Sequence, residues 1–255
     1  MAKPDAARLS TLRAVSAALP VLLWWAWALL AANPRLLPGP GAVLRFAWDE
    51  LARGALASNF AATFARVAAA FLFSMLLGGA LGLWTGRNPR ADALFDPLIV
   101  LTLNLPLLVV IVLAYIWIGL NEFAAVAAVT IAKTPTIAIT VREGARALDA
   151  ACDEMARVFA IPAWRRFTHV LLPQLLPYLA AAGRAGLSIT WKIVLVVELL
   201  GRPNGVGYAL NLAFQNFNVT AILAYGLLFA AVMLAIEITF LQPFERSARA
   251  WRNGA

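Results

Sequence analysis

Charged side chains are scarce in this chain: Asp, Glu, Lys and Arg make up 13% of its 255 residues, while 62% are hydrophobic. A soluble domain ordinarily carries roughly a quarter charged residues, so a water-soluble globule is excluded. Cysteine is nearly absent. Cys152 stands alone, which rules out an intrachain disulfide, and the lone His169 leaves no cluster with metal-ligand spacing. The sequence also lacks a G-x-x-x-x-G-K-[ST] stretch to cradle nucleotide phosphates. No nucleophile and base are paired by spacing within its apolar runs, which argues against an intramembrane enzyme.

Apolar runs are abundant. The uncharged stretch from Ala14 to Leu30, and others broken by at most one charge, approach the roughly 20 residues a helix needs to cross a bilayer. Hydropathy places six spans, at 12–32, 61–84, 95–118, 123–141, 176–199 and 220–241, and predicts an all-α membrane protein with one domain over 1–255. Turn residues separate the spans: Asn33-Pro34, Gly86-Arg87-Asn88-Pro89 and Gly119-Leu120-Asn121-Glu122. The first run follows Lys3, Arg8 and Arg13, as a signal peptide would, but its three Trp and missing small-residue cleavage site mark a retained helix.

The net charge of +8 is one-sided. With six spans, thirteen Lys and Arg fall on the side of both termini, and only Arg35, Arg45, Arg53 and Arg202 fall opposite. The positive-inside rule then puts both termini in the cytoplasm and accounts for the basic charge without nucleic acid. After the first span, Leu37-Pro38-Gly39-Pro40-Gly41 reads as an extended or turning piece, and residues 42–56 as a short helix on the outer surface. Gly78, Gly82 and Gly86 form a flat stripe on span two, for packing within one copy or against a second.

The longest cytoplasmic segment, residues 142–175, carries the most information. Leu148, Cys152, Met155 and Phe159 recur at helical spacing and make an apolar stripe, with Asp149, Asp153 and Glu154 elsewhere on the helix. Ile161-Pro162 interrupts it, so a bent helix pair is expected, with Trp164, Arg165 and Arg166 on the second arm and Leu172-Pro173 and Leu176-Pro177 ending that arm. Periodicity alone is also satisfied by an amphipathic helix resting on lipid.

This segment resembles the cytoplasmic loop of permease subunits of bacterial ABC importers, whose pattern is EAA, three residues, G, nine residues, I-x-LP. Here Glu154-Met155-Ala156 precedes Ala160 by the same interval, and Val170-Leu171-Leu172-Pro173 follows at the same distance. Ala160 in place of glycine argues against a tight left-handed turn, whereas Pro162 enforces a bend by another route. The resemblance implies that Asp153, Glu154, Met155, Ala156, Ala160, Ile161, Pro162, Val170, Leu172 and Pro173 couple to an ATPase, with Glu154 as the pairing acid.

Further stretches resemble the nitrate, sulfonate and taurine branch of that family. They are Leu37-Pro38-Gly39-Pro40, Ala61 to Val67, Pro97, Leu105-Pro106, Ile118-Gly119, Gly183 to Leu187 with Trp191 and Glu198, and Gly205-Val206-Gly207-Tyr208. The resemblance implies a type I importer fold, no cofactor in this chain, and ATP and Mg bound by a partner ATPase. It also implies an ATPase dimer, a second permease copy or paralogue, an external solute-binding protein, and location in the bacterial inner membrane.

Ionisable residues at membrane depth should face protein or a water-filled path, since each costs about 2.5–3.5 kcal/mol at a helix centre. Lys133, Trp191, Lys192 and Glu198 are the candidates for a translocation path. One reading makes Lys133 and Lys192 lures for a small anion; the other pairs them with Glu198 or Glu237 as buried ion pairs. An ion-coupled secondary transporter is the alternative class, but residues 1–128 and 129–255 show no comparable repeat.

Overall fold

A computed structural model of the protein describes residues 6–31, 33–241 and 243; Lys3, Arg246, Arg249 and Arg252 lie outside them, and Arg8, Arg13 and Asp153 are described by backbone alone. The described residues form helices joined by short turns, with no strand among them. In order these are α1 (Ala6–Ala31), α2 (Pro40–Ala52), α3 (Ala55–Arg87), α4 (Pro89–Asn104), α5 (Leu107–Ile118), α6 (Glu122–Arg146), α7 (Ala150–Val158) and α8 (Ala163–Arg166). A π-helical turn (Phe167–Leu171) leads into α9 (Leu172–Gly201), followed by α10 (Val206–Gln215), α11 (Val219–Ile236) and a second π turn (Glu237–Leu241).

The turn residues act through defined chemistry. Asn88, Asn121 and Asn218 are N-caps whose side-chain oxygens accept backbone N–H bonds from Ala91 (3.3 Å), Ala124 (2.8 Å) and Ala221 (3.0 Å), starting α4, α6 and α11. Each satisfies a donor that the first helical turn leaves orphaned, a costly vacancy near a bilayer.

Four stretches are long and apolar enough to span a membrane: Ala55–Arg87, Glu122–Arg146, Ala163–Gly201 and Val219–Thr239. The span expected at 95–118 is made of two helices, α4 and α5, which together are long and apolar enough to cross but meet at a 97° bend. Pro106 is the cause: it has no N–H to continue α4 and drives Leu105 into extended backbone (φ −68°, ψ 128°). The first span is represented by α1, in which Ala18–Ala31 is the apolar part and is shorter than a full crossing.

α6 is the centre of the bundle, with 56% of its apolar stretch buried against 28% for α3 and for α11. It packs on α3 through the glycine stripe. A Cβ at Gly78 would lie 2.8 Å from Ile137 Cβ, one at Gly86 would lie 2.6 Å from Ala145 Cβ, and one at Gly82 would collide with the Ala138 carbonyl. The stripe therefore serves packing within one copy.

Two apolar clusters stack along this axis. One holds Val67, Ile111, Val129, Trp191 and Val197 near the end marked by Glu198; the other holds Ile137, Val141, Leu175 and Ala182 toward the opposite end, marked by Asp92. At the Asp92 end, Arg142 bonds Asp92 (3.0 Å) and Asp96 (2.6 Å), joining α6 to α4.

Candidate functional site

The segment after α6 forms a bent helix pair at the Asp92 end. Asp149 caps α7 by accepting from Ala151 N–H (2.9 Å), and its own N–H donates to Gln174 Oε1 (2.9 Å), tying the start of α7 to α9. Asp149 also accepts a weak bond from the Cys152 thiol (3.5 Å). That bond and the carboxylate charge push the thiol pKa up.

At the end of α7, Ile161 N–H bonds the Ala156 carbonyl (3.0 Å) and Ala160 N–H bonds that of Arg157 (2.9 Å), the paired bonds of a Schellman cap. Ala160 adopts φ 52° to make them. The left-handed turn disfavoured by the absence of glycine is therefore present: the two bonds and Pro162 hold the backbone there against a cost of about 1–2 kcal/mol.

Of the expected stripe Leu148, Cys152, Met155 and Phe159, only Cys152 and Met155 fall within α7, with Leu148 and Phe159 flanking it. Leu148 and Cys152 are half-buried, whereas Met155 is 56% and Phe159 73% exposed; Ala156 is the buried contact of α7. Val158 and Trp164 are exposed beside them, and Glu154 and Ile161 are on the surface as well. A fixed knob results, with an apolar crown beside the exposed Glu154.

Leu172-Pro173 and Leu176-Pro177 do not end the second arm. The helix continues from Ala163 through the π turn into α9, giving an apolar stretch over Ala163–Gly201. The widened turn directly precedes Pro173, where an α-helical ring would clash with a carbonyl one turn back. Val170, Leu172 and Pro173 are half-buried where the arm enters the bundle.

At the other end, a charge network built on the buried Arg66 and Glu198 and reaching the exposed Glu122 ties four elements. Arg66 of α3 bonds Glu198 of α9 through Nη1 (2.7 Å) and Glu122 of α6 through Nε (2.8 Å) and Nη2 (2.7 Å), and it also reaches Asn204. Glu198 has no exposed surface; its second oxygen accepts from Thr63 (2.9 Å) and Gly207 N–H (2.9 Å). Arg202 adds a 2.5 Å bond to Glu122. Gly205, at φ 108°, brings its backbone against the Glu198 carboxylate, where a Cβ would collide. A buried acid so fully bonded serves packing and register.

The ion pairs offered for the lysines are thus not formed. Glu198 is taken by Arg66, and Glu237 lies 3.5 Å from Arg184. Lys133 is 5% exposed, with no hydrogen-bond or ion-pair partner among the described residues. It sits one turn from Val129 and one from Ile137, between the two apolar clusters, at the level of the buried hydroxyls of Ser74, Thr130 and Thr190. Trp191 is buried in the first cluster and Lys192 is exposed on the surface of the single copy. The Arg66 network was not anticipated from sequence, although an arginine five residues into an apolar span was signal enough to look for buried acids.

The helical architecture and the bent pair define a membrane transport component of the ABC importer permease class. The chain belongs to the family described as binding-protein-dependent transport system inner membrane component, whose model matches residues 70–242. SsuC of Bacillus subtilis (strain 168), named for aliphatic sulfonates transport, is 28% identical over 86% of this chain and 79% of its own length. The taurine transport system permease protein TauC of Escherichia coli (strain K12) is 24% identical over 91% of this chain and 86% of its own. An inward-facing crystal structure of the MetNI methionine ABC transporter shares the fold, with a TM-score of 0.59 over 74% of this chain and 92% of that one at 20% identity.

Proposed function

We propose that this chain is the membrane half of an ATP-driven importer that carries a small anion, such as a sulfonate, inward across the bacterial inner membrane. The observation that carries this reading is the knob at the Asp92 end: Glu154 beside the exposed Met155, Val158, Phe159 and Trp164, on a turn fixed by the Schellman bonds at Ala160. Large apolar side chains exposed beside Glu154, at the break between α7 and the arm that begins at Ala163, suit a protein groove better than lipid.

In this reading the Asp92 end and both termini are cytoplasmic, as the charge bias requires, and the Glu198 end is external. ATP and Mg belong to an ATPase dimer docked on the knobs of two permease copies or a permease and its paralogue. An external binding protein delivers solute to the Glu198 end. Lys133 and Lys192 supply the positive charge of the path, an assignment favoured by the absence of an acid paired with Lys133 among the described residues. The relatives named for sulfonates and taurine support a solute that carries a sulfonate or similar anionic group.

The docking role is tested by Glu154→Lys in the assembled transporter. Reversing one charge of a charge-assisted contact should weaken ATPase co-purification by about tenfold or more while leaving the melting curve of the permease unchanged. Full ATPase recovery with undiminished transport would remove the knob from the mechanism.

A further inference from the structure

α2 carries an acid where its pattern calls for an apolar residue. Val43, Phe46, Ala47 and Glu50 fall at i, i+3, i+4 and i+7 on the face turned to the bundle, where Val43 and Ala47 pack with Ala224 of α11. The opposite stripe, Leu44, Trp48 and Leu51, is exposed, as in a helix lying at a lipid surface. A carboxylate on the packed face requires partners. Glu50 has one: Tyr225 OH donates to its Oε2 at 2.8 Å. Among the described residues it makes no ion pair, and Arg45 and Arg53 of its own neighbourhood are exposed.

In front of this carboxylate lies a cavity of about 290 Å³ between α2, α3, α10 and α11. Phe46, Tyr208 and Tyr225 supply aromatic walls, Asn59 and Asn216 supply amides, and no Lys or Arg among the described residues lines it. One negative charge framed by aromatic rings and amide oxygens recognises a cation with N–H donors.

We infer that this cavity binds a primary ammonium group, and that the group is the headgroup of an aminophospholipid such as phosphatidylethanolamine. The lipid source follows from the exposed Leu44, Trp48 and Leu51 stripe, which sets the same helix at the level where headgroups lie. Hydrogen bonds join the site to the neighbouring loop. Tyr225 OH accepts from Asn59 Nδ2 (3.3 Å), and Asn59 Oδ1 accepts from Gly205 N–H (2.9 Å), the residue that closes over Glu198.

Native mass spectrometry of the purified full chain, offered phosphatidylethanolamine or phosphatidylglycerol, tests this. Wild type should retain the ethanolamine lipid about tenfold better than the glycerol lipid, Glu50→Gln should abolish the preference, and free ethanolamine should displace the lipid. Gln keeps an acceptor for Tyr225, so matched melting curves in detergent micelles containing phosphatidylglycerol establish that the variant is folded. Equal retention of both lipids by wild type, or a preference that survives Glu50→Gln, would overturn the site. Binding of free ethanolamine at Glu50 with no competition from the lipid would overturn the lipid source. Loss of the second copy or of the binding protein in Glu50→Gln, with lipid retention unchanged, would assign the cation to a protein side chain and overturn it as well.

Discussion

Ala160 holds a backbone conformation that a Cβ disfavours by about 1–2 kcal/mol, and two hydrogen bonds keep it there. Ala160→Gly should therefore stabilise the turn by about 1 kcal/mol, the relief of αL strain exceeding the entropy that glycine adds to the unfolded chain. Slower amide exchange at Ile161 is the readout; unchanged or faster exchange would mean the turn carries no strain. Arg66 offers a larger effect. Arg66→Met strands Glu198 with no arginine to neutralise it and should cost about 3–5 kcal/mol, read as a lowered melting temperature, with partial recovery when Glu198→Gln is added. A melting curve like wild type would sink the structural role of the network. Both residues were visible in the sequence, Ala160 as a departure from the loop pattern and Arg66 as a charge in an apolar run. Spacing says which residues share a face but not which distant acid a charge will meet, so the partners Glu122, Glu198 and Asn204 were not legible.

The contact between α3 and α6 is a property of whole elements, since three glycines one turn apart remove a ridge of side chains and let two backbones meet. Gly82→Ala sets two known effects against each other. Alanine favours a helix by about 1 kcal/mol, but here its Cβ would press on the Ala138 carbonyl and lie 2.9 Å from Val141 Cβ, and overpacking against backbone costs about 1–3 kcal/mol. The clash should win and lower the melting temperature. Gly226→Ala in α11, with nothing within 4 Å of the added methyl, should be neutral or stabilising. Equal responses at the two positions would contradict the packing described. Helix positions at this scale were largely legible, because apolar runs and asparagine caps are local signals. The bend at Pro106 and the continuity of α9 past Pro173 and Pro177 were not. A proline forbids a bond but does not say whether the chain will break by 97°, as at Leu105, or widen into a π turn, as at Phe167–Leu171.

A single copy exposes apolar residues along α4 and α5, among them Leu101, Leu105, Leu108 and Val109, and leaves Lys192 on its surface. In the proposed assembly two copies close these faces around one path, so cysteines introduced at exposed positions of α9, such as Ile189 or Val196, should cross-link between copies. Transport by an isolated monomer in a nanodisc would oppose that arrangement. The anion reading is then decided at Lys133. Its charge lies between two apolar clusters, and both acids that sequence offered as partners are committed to arginines, Glu198 to Arg66 and Glu237 to Arg184. Lys133→Met fills a similar volume and strands no acid, so it should leave folding, assembly and ATPase docking intact while cutting transport by about tenfold or more. A lysine held in an ion pair would behave otherwise: its loss would cost about 3–5 kcal/mol of stability, and neutralising the acid would restore it. Melting curves and uptake measured on Lys133→Met, alone and with Glu237→Gln, separate the two. A destabilised single variant rescued by the double variant would make Lys133 structural, and unimpaired uptake in a stable Lys133→Met would remove it from the path.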